Sequence, residues 1–154
     1  MDKNVINVLY VDDEPAYLTA FRASFRRKFN VFTAETVEEA RRILDGEEVH
    51  VILSDSRMPS QNGVDFFESI RQTHPQPMRM LITGYRNISD VVEAINRAEV
   101  YQYFLKPWNE EEMEKVIERA FQLFLKKNAE RRLIKHLQED NSMLEFFVRQ
   151  KFLS

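Results

Sequence analysis

Apolar and polar positions along the chain follow two distinct rhythms. Short apolar runs rich in β-branched residues occur at VINVLYV (5–11), VFTA (31–34), VHVILS (49–54), MRMLIT (78–83) and VYQYFL (100–105), each of strand length. Between them, Pro15 to Lys28, Val37 to Leu44, Val64 to Gln72 and Ile88 to Ala98 carry aliphatic or aromatic residues three and four apart, the spacing of amphipathic helices. Such alternation predicts a parallel sheet, because parallel strands need crossovers and right-handed crossovers lay helices on both faces. The expected fold is α/β, a doubly wound five-stranded parallel sheet. Ligand sites in these sheets lie beyond the carboxyl ends of the strands, so the residues just after each strand should carry the chemistry.

From Asn109 the rhythm changes. Asn109 is a plausible N-cap, Glu110, Glu111 and Glu112 suit the positive end of a helix, and no Gly or Pro follows Pro107. A helix can therefore run nearly to the end of the chain. Met113, Val116, Ile117, Ala120, Phe121 and Phe124 read as its packed face; KKNAERR (126–132) interrupts the pattern, and Ile134, Leu137, Asn141, Leu144 and Val148 resume it. Residues 1–125 thus read as one domain and 126–154 as a helical extension, since about 30 residues cannot form a second core. Nothing in that extension reads as an output enzyme.

Composition narrows the class. Apolar residues at 44%, charged residues at 31% and a net charge of −3 describe an ordinary soluble globular chain with no overall basic footprint, so nucleic acid is not an expected partner. The extension is net +3, leaving −6 for residues 1–125. That tilt reads more readily as a solvated helix face than as a nucleic-acid contact. The absence of cysteine removes disulfides, thiolate metal sites and a cysteine nucleophile, and fits a reducing compartment. With no signal-peptide pattern at the start and no window near 18 apolar residues, a cytoplasmic location without membrane contact is expected.

At the strand ends stand Asp12-Asp13-Glu14, then Asp55 in VILSDSRMPSQNG, then Thr83-Gly84, then Lys106-Pro107. Strands disfavour Asp, yet Asp55 stands at the end of a largely apolar run. Carboxylates gathered at one sheet edge repel unless a cation neutralises them, and hard oxygen donors without His or Cys suit Mg²⁺. A carboxylate beside Mg²⁺ can act as a nucleophile toward a phosphoryl group, with Lys106 and the Thr83 hydroxyl absorbing charge on its oxygens. Each piece has a plainer reading: Asp13 before Glu14-Pro15 as a helix N-cap, Lys106-Pro107 as a turn, Thr83 as a β-former, and Met58-Pro59 to Gly63 as a loop entering a helix. Their joint placement at successive strand ends favours the phosphoryl acceptor.

VLYVDDE, LSDSRMPSQNG, LITGY and YQYFLKPW, in this order and spacing, resemble the receiver domain of two-component response regulators, the CheY-like family, over residues 5 to about 125. The resemblance implies a flavodoxin-like sheet of order 2-1-3-4-5 and a phosphorylation-activated regulator without enzymatic output. It implies Asp55 as the phosphoacceptor, served by a histidine kinase or phosphotransfer protein. Mg²⁺ would be held by Asp13, Asp55 and the Arg57 backbone carbonyl, with Asp12 acting largely through water. Lys106 would pair with the phosphoryl group, the Lys106–Pro107 bond would be cis, and Thr83 and Tyr103 would form the switch pair. Partner contact is expected over residues 87–119. Arg57 and Tyr85 hold positions that in the family tune phosphoryl lifetime, unless they are simply loop surface.

Two rival functions compete with this one. An aspartyl phosphatase of the haloacid dehalogenase type needs a second Asp two residues after the nucleophile, where Arg57 stands. A degenerate receiver, acting only as a protein-binding module, would lack one of Asp12, Asp13, Asp55, Thr83 or Lys106, and all are present. For the extension, Asn141 at a core position of residues 134–148 suggests a homodimer of fixed register. The same stripe could dock on the receiver or on a partner, and Phe146, Phe147, Phe152 and Leu153 add apolar surface that favours association. A further reading takes the chain as the front of a longer regulator.

Overall fold

The structure, a computed structural model, describes residues 5–84 and 88–153, the side chains of residues 88, 90, 91, 152 and 153 excepted. Strands β1 (Asn7–Val11), β2 (Asn30–Ala34), β3 (Val51–Asp55), β4 (Met78–Thr83) and β5 (Val100–Leu105) alternate with helices α1 (Pro15–Phe25), α2 (Val37–Gly46), α3 (Gly63–Ile70) and α4 (Ile88–Ala98), and α5 (Glu110–Leu153) follows. All four strand pairings are parallel and the order is β2-β1-β3-β4-β5, the doubly wound sheet that the alternation predicts.

Strand alternation divides the core between two faces. Val8, Tyr10, Val51, Leu53, Met80 and Ile82 point to one face and pack against Leu18, Phe21 and Phe25 of α1 and the inner half of α5. Leu9, Val11, Ile52 and Leu81 point to the other, under α2, α3 and α4. Because β3 and β4 are covered on both faces, all their residues are buried and read as continuous apolar runs. Arg79 sits within β4 and is tolerated because its guanidinium donates to the carbonyls of Ala98 (2.8 Å) and Pro77 (3.2 Å) and pairs with Glu99 at 3.3 Å.

Several boundaries differ from the sequence reading. Helix α1 stops at Phe25 instead of Lys28: Arg26, Arg27 and Lys28 form a turn that delivers the buried Phe29 to the core. Asp13 is not a helix cap, since α1 is preceded by Glu14 with no side-chain cap. Asn109 does cap α5, its side-chain oxygen accepting from the Glu112 N–H at 2.9 Å. Helix α5 is continuous for 44 residues, about 66 Å at 1.5 Å per residue. Met113, Val116, Ile117, Ala120, Phe121 and Phe124 are buried as expected; from residue 129 to 151 every residue is exposed.

Candidate functional site

The parallel register brings the carboxyl ends of β1, β3, β4 and β5 to one edge, and with them Asp12, Asp13, Asp55, Thr83 and Lys106. Asp12 is fully buried and Asp55 nearly so, while Asp13 faces outward; one carboxylate oxygen from each lies within 4.8 Å of the others. Opposite corners of a Mg²⁺ octahedron are about 4.2 Å apart, so this all-oxygen donor set fits the ion with a small side-chain movement.

Asp12 is held at both oxygens. Its Oδ1 accepts from the Glu14 N–H at 3.0 Å, and its Oδ2 accepts from the Tyr10 hydroxyl at 2.6 Å and pairs with Lys106 Nζ at 2.8 Å. Lys106 Nζ also stands 3.5 Å from Asp55 Oδ1 and 3.8 Å from the centre of the Tyr17 ring, a cation–π contact on an ammonium whose side chain is only 7% exposed. The peptide bond from Lys106 to Pro107 is cis, and the Lys106 N–H donates to the Thr83 carbonyl at 2.8 Å, continuing the β4–β5 ladder to the site. Thr83 is buried, Tyr103 on β5 is half-buried, and Arg57 is exposed on the loop after β3. Tyr85 and Asn87 lie outside the described residues.

These contacts set the ionisation of the site. Burial first, then the charge of Asp12, pushes the Asp55 carboxyl up to about 6 against the pull of Lys106. Burial on its own would lower Lys106, but its hydrogen bond to Asp12 and the charges of Asp12 and Asp55 together raise it, so the ammonium stays protonated. The Tyr10 hydroxyl is raised by burial and by Asp12, and remains a donor.

Asp55 is positioned by its neighbours. The Ser56 N–H donates to Ile82 O at 3.1 Å, the Ser54 hydroxyl to Asp55 O at 2.9 Å, and the Gly63 N–H to Ser56 O at 3.0 Å. A Cβ on Gly63 would stand 2.5 Å from the Asp55 carbonyl oxygen, so only glycine lets α3 approach the strand end this closely. Tyr10 and Tyr17 are the site residues the sequence reading missed. The signal for Tyr10 was its place two residues before Asp12, on the same strand face. Tyr17 read as one more apolar helix position.

The family model for the response regulator receiver domain matches residues 8–118. The chain belongs to this family. Curated relatives include the hydrogenase transcriptional regulatory protein HoxA of Bradyrhizobium diazoefficiens, 39% identical over 76% of this chain and 24% of its own length. HoxA of Cupriavidus necator is 40% identical over 70% of this chain and 22% of its length. The chain thus spans about a quarter of these relatives. Among solved structures, a CheY-like response regulator receiver domain protein from Methanospirillum hungatei superposes with a TM-score of 0.74 at 22% identity, covering 80% of this chain and 99% of its own, a likeness of fold. As a receiver, the chain is a signalling domain with an acidic cluster able to hold a metal, and among the described residues no helix is long and apolar enough to cross a membrane.

Proposed function

We propose that this receiver is switched by phosphorylation of Asp55. The observation that carries the reading is the convergence of Asp12, Asp13, Asp55 and Lys106 at one sheet edge, with the lysine placed between two buried carboxylates. The Asp55 carboxylate attacks the phosphorus of a phosphohistidine on a histidine kinase or phosphotransfer protein. The new O–P bond forms as the P–N bond breaks, and the imidazole, already protonated at its other ring nitrogen, takes the electron pair of the broken bond and leaves neutral. Lys106 moves its ammonium from Asp12 toward the phosphoryl oxygens, Tyr17 guides it with its ring face, and Tyr10 stays on Asp12 as the lysine leaves.

Asp13, Asp55 and the Arg57 carbonyl are assigned as direct Mg²⁺ ligands, and Asp12, whose oxygens are already engaged, as a ligand through water. Bound there, the ion would neutralise the carboxylates and take up charge on the phosphoryl oxygens. The switch is assigned to Thr83 and Tyr103 on adjacent strands, and the readout to the described part of residues 87–119, where Val92 and Ile95 of α4 are about half exposed. Residues 1–125 act as the receiver and 126–154 as an extension available for self-association. Self-phosphorylation and autodephosphorylation are its only chemistry, and its place is the cytoplasm, consistent with a chain without cysteine. The HoxA relatives are named transcriptional regulators, but the shared stretch is the receiver, so signal reception is the part of that role assigned to this chain.

The test is incubation with acetyl phosphate and Mg²⁺, followed by intact mass. One added phosphoryl group on the wild type, none on Asp55→Ala and none after chelation is the expected result. Equal labelling of the variant would overturn the assignment.

A further inference from the structure

Beyond its packed half, α5 carries an apolar face that the rest of the described chain leaves uncovered. Leu133, Ile134, Leu137, Leu144, Phe147 and Val148 are 52–62% exposed, and their spacing places them on one arc with Asn141. Lys127 and Glu130 occupy the two preceding seam positions, so the stripe begins at Leu133. A face this apolar calls for association, and the charges along its borders indicate what covers it.

Two copies paired in parallel would set Asp140 against the partner's Glu145 and Lys126 against the partner's Arg131, four like-charge contacts per dimer because each occurs twice. Antiparallel pairing, with Ile134 level with the partner's Leu144, replaces these with Arg131 against the partner's Glu145, twice, and Leu133 against the partner's Phe147, twice. Its like-charge contacts are Lys127 against the partner's Lys151, at the two ends of the pair, and Asp140 against its own copy, where His136 on the same helix stands 3.5 Å from that carboxylate. Asn141 by itself favours the parallel sense, where it would meet its own copy. In the antiparallel sense it lies level with the partner's Leu137 and beside the partner's Gln138, whose carboxamide can share its hydrogen bonds.

We propose that the outer half of α5 is a self-association surface that takes a second copy of this chain in antiparallel orientation, centred near residue 139. The two receivers then sit at opposite ends of the helix pair, each starting about 17 Å from the centre at 1.5 Å per residue. The inference rests on exposure and charge along α5 and is independent of the phosphorylation chemistry.

Sedimentation equilibrium of the full chain and three charge variants tests it. The wild type should show a concentration-dependent monomer–dimer equilibrium. Glu145→Lys and Arg131→Glu should each weaken it about tenfold, and the double swap should restore it. Because the chain has no cysteine, Ile134→Cys and Leu144→Cys supply a second readout: under oxidation their mixture should yield a 134–144 cross-link, with neither variant linking to itself. A wild type that stays monomeric at every concentration, single swaps that tighten the dimer, or self-linking Ile134→Cys would each overturn the proposal.

Discussion

The carboxyl edge of the sheet buries charge, whereas the outer half of α5 leaves large apolar side chains in water; solvation disfavours both arrangements. At the sheet edge the cost is held down by dense local partners: Asp12 has a tyrosine, a backbone amide and a lysine within 3.0 Å. On the outer helix no described residue of the same chain offers compensation. The inner half of α5 has the same 3-4 period and is buried throughout its apolar face, so the period states that a face will be covered without saying by what. A charged edge poised for a phosphoryl group and a wet apolar stripe are both unfinished surfaces, completed by different parties.

The largest effect expected from breaking this contrast is at Lys106. Lys106→Ala leaves Asp12 buried without its cation, and thermal unfolding should show a loss of about 3–5 kcal/mol, together with phosphorylation roughly a hundredfold slower. Next, the two halves of α5 should respond oppositely to the same kind of truncation. Ile117→Ala should cost about 2–4 kcal/mol in denaturant unfolding, while Leu144→Ala should stay within about 0.5 kcal/mol and alter only self-association. Similar losses at both positions would mean that the outer half is packed after all.

Asp55 sharpens the comparison through pH. Its carboxyl ionises in the fold only at about 6, above its unfolded value near 3.8, so the fold disfavours the charged form. The sign follows: the stability linked to this group is complete below the unfolded value and is lost as pH rises through about 6. In metal-free buffer, Tm should therefore fall between pH 4 and 7, and Asp55→Asn should be more stable than wild type at pH 7.5 by about 1–2 kcal/mol, a gain that Mg²⁺ should erase by stabilising the wild type. A smaller effect is expected at the cation–π contact. Tyr17→Leu should lower stability by about 0.5–1 kcal/mol and slow labelling by acetyl phosphate a fewfold, both measurable beside the wild type.

Much of the fold was readable because β-α alternation leaves few topologies once crossovers are right-handed. Met78–Thr83, Val100–Leu105 and Ile88–Ala98 match the sequence reading to the residue. Misplaced boundaries lie where polar runs stay compatible with a helix, as at Arg26 to Lys28, and tertiary packing of Phe29 decides instead. The strand-end residues were visible from order and spacing, since each strand delivers its terminal side chain to the same edge. The clamp around them was less so. Tyr10 and Tyr17 look like core aromatics in sequence, and only the measured approach of a hydroxyl to Asp12 and of a ring face to Lys106 distinguishes them from packing. Gly63 was likewise legible as a loop residue but not as the point where α3 meets the Asp55 backbone.

The central claim is that Asp55, and no other carboxylate of the cluster, takes the phosphoryl group. Borohydride reduces an aspartyl phosphate to homoserine, so peptide mapping after reduction of the labelled protein reads the modified position directly. Homoserine at position 55 alone is the predicted result; homoserine at position 12 or 13, or at none of the three, would contradict the account.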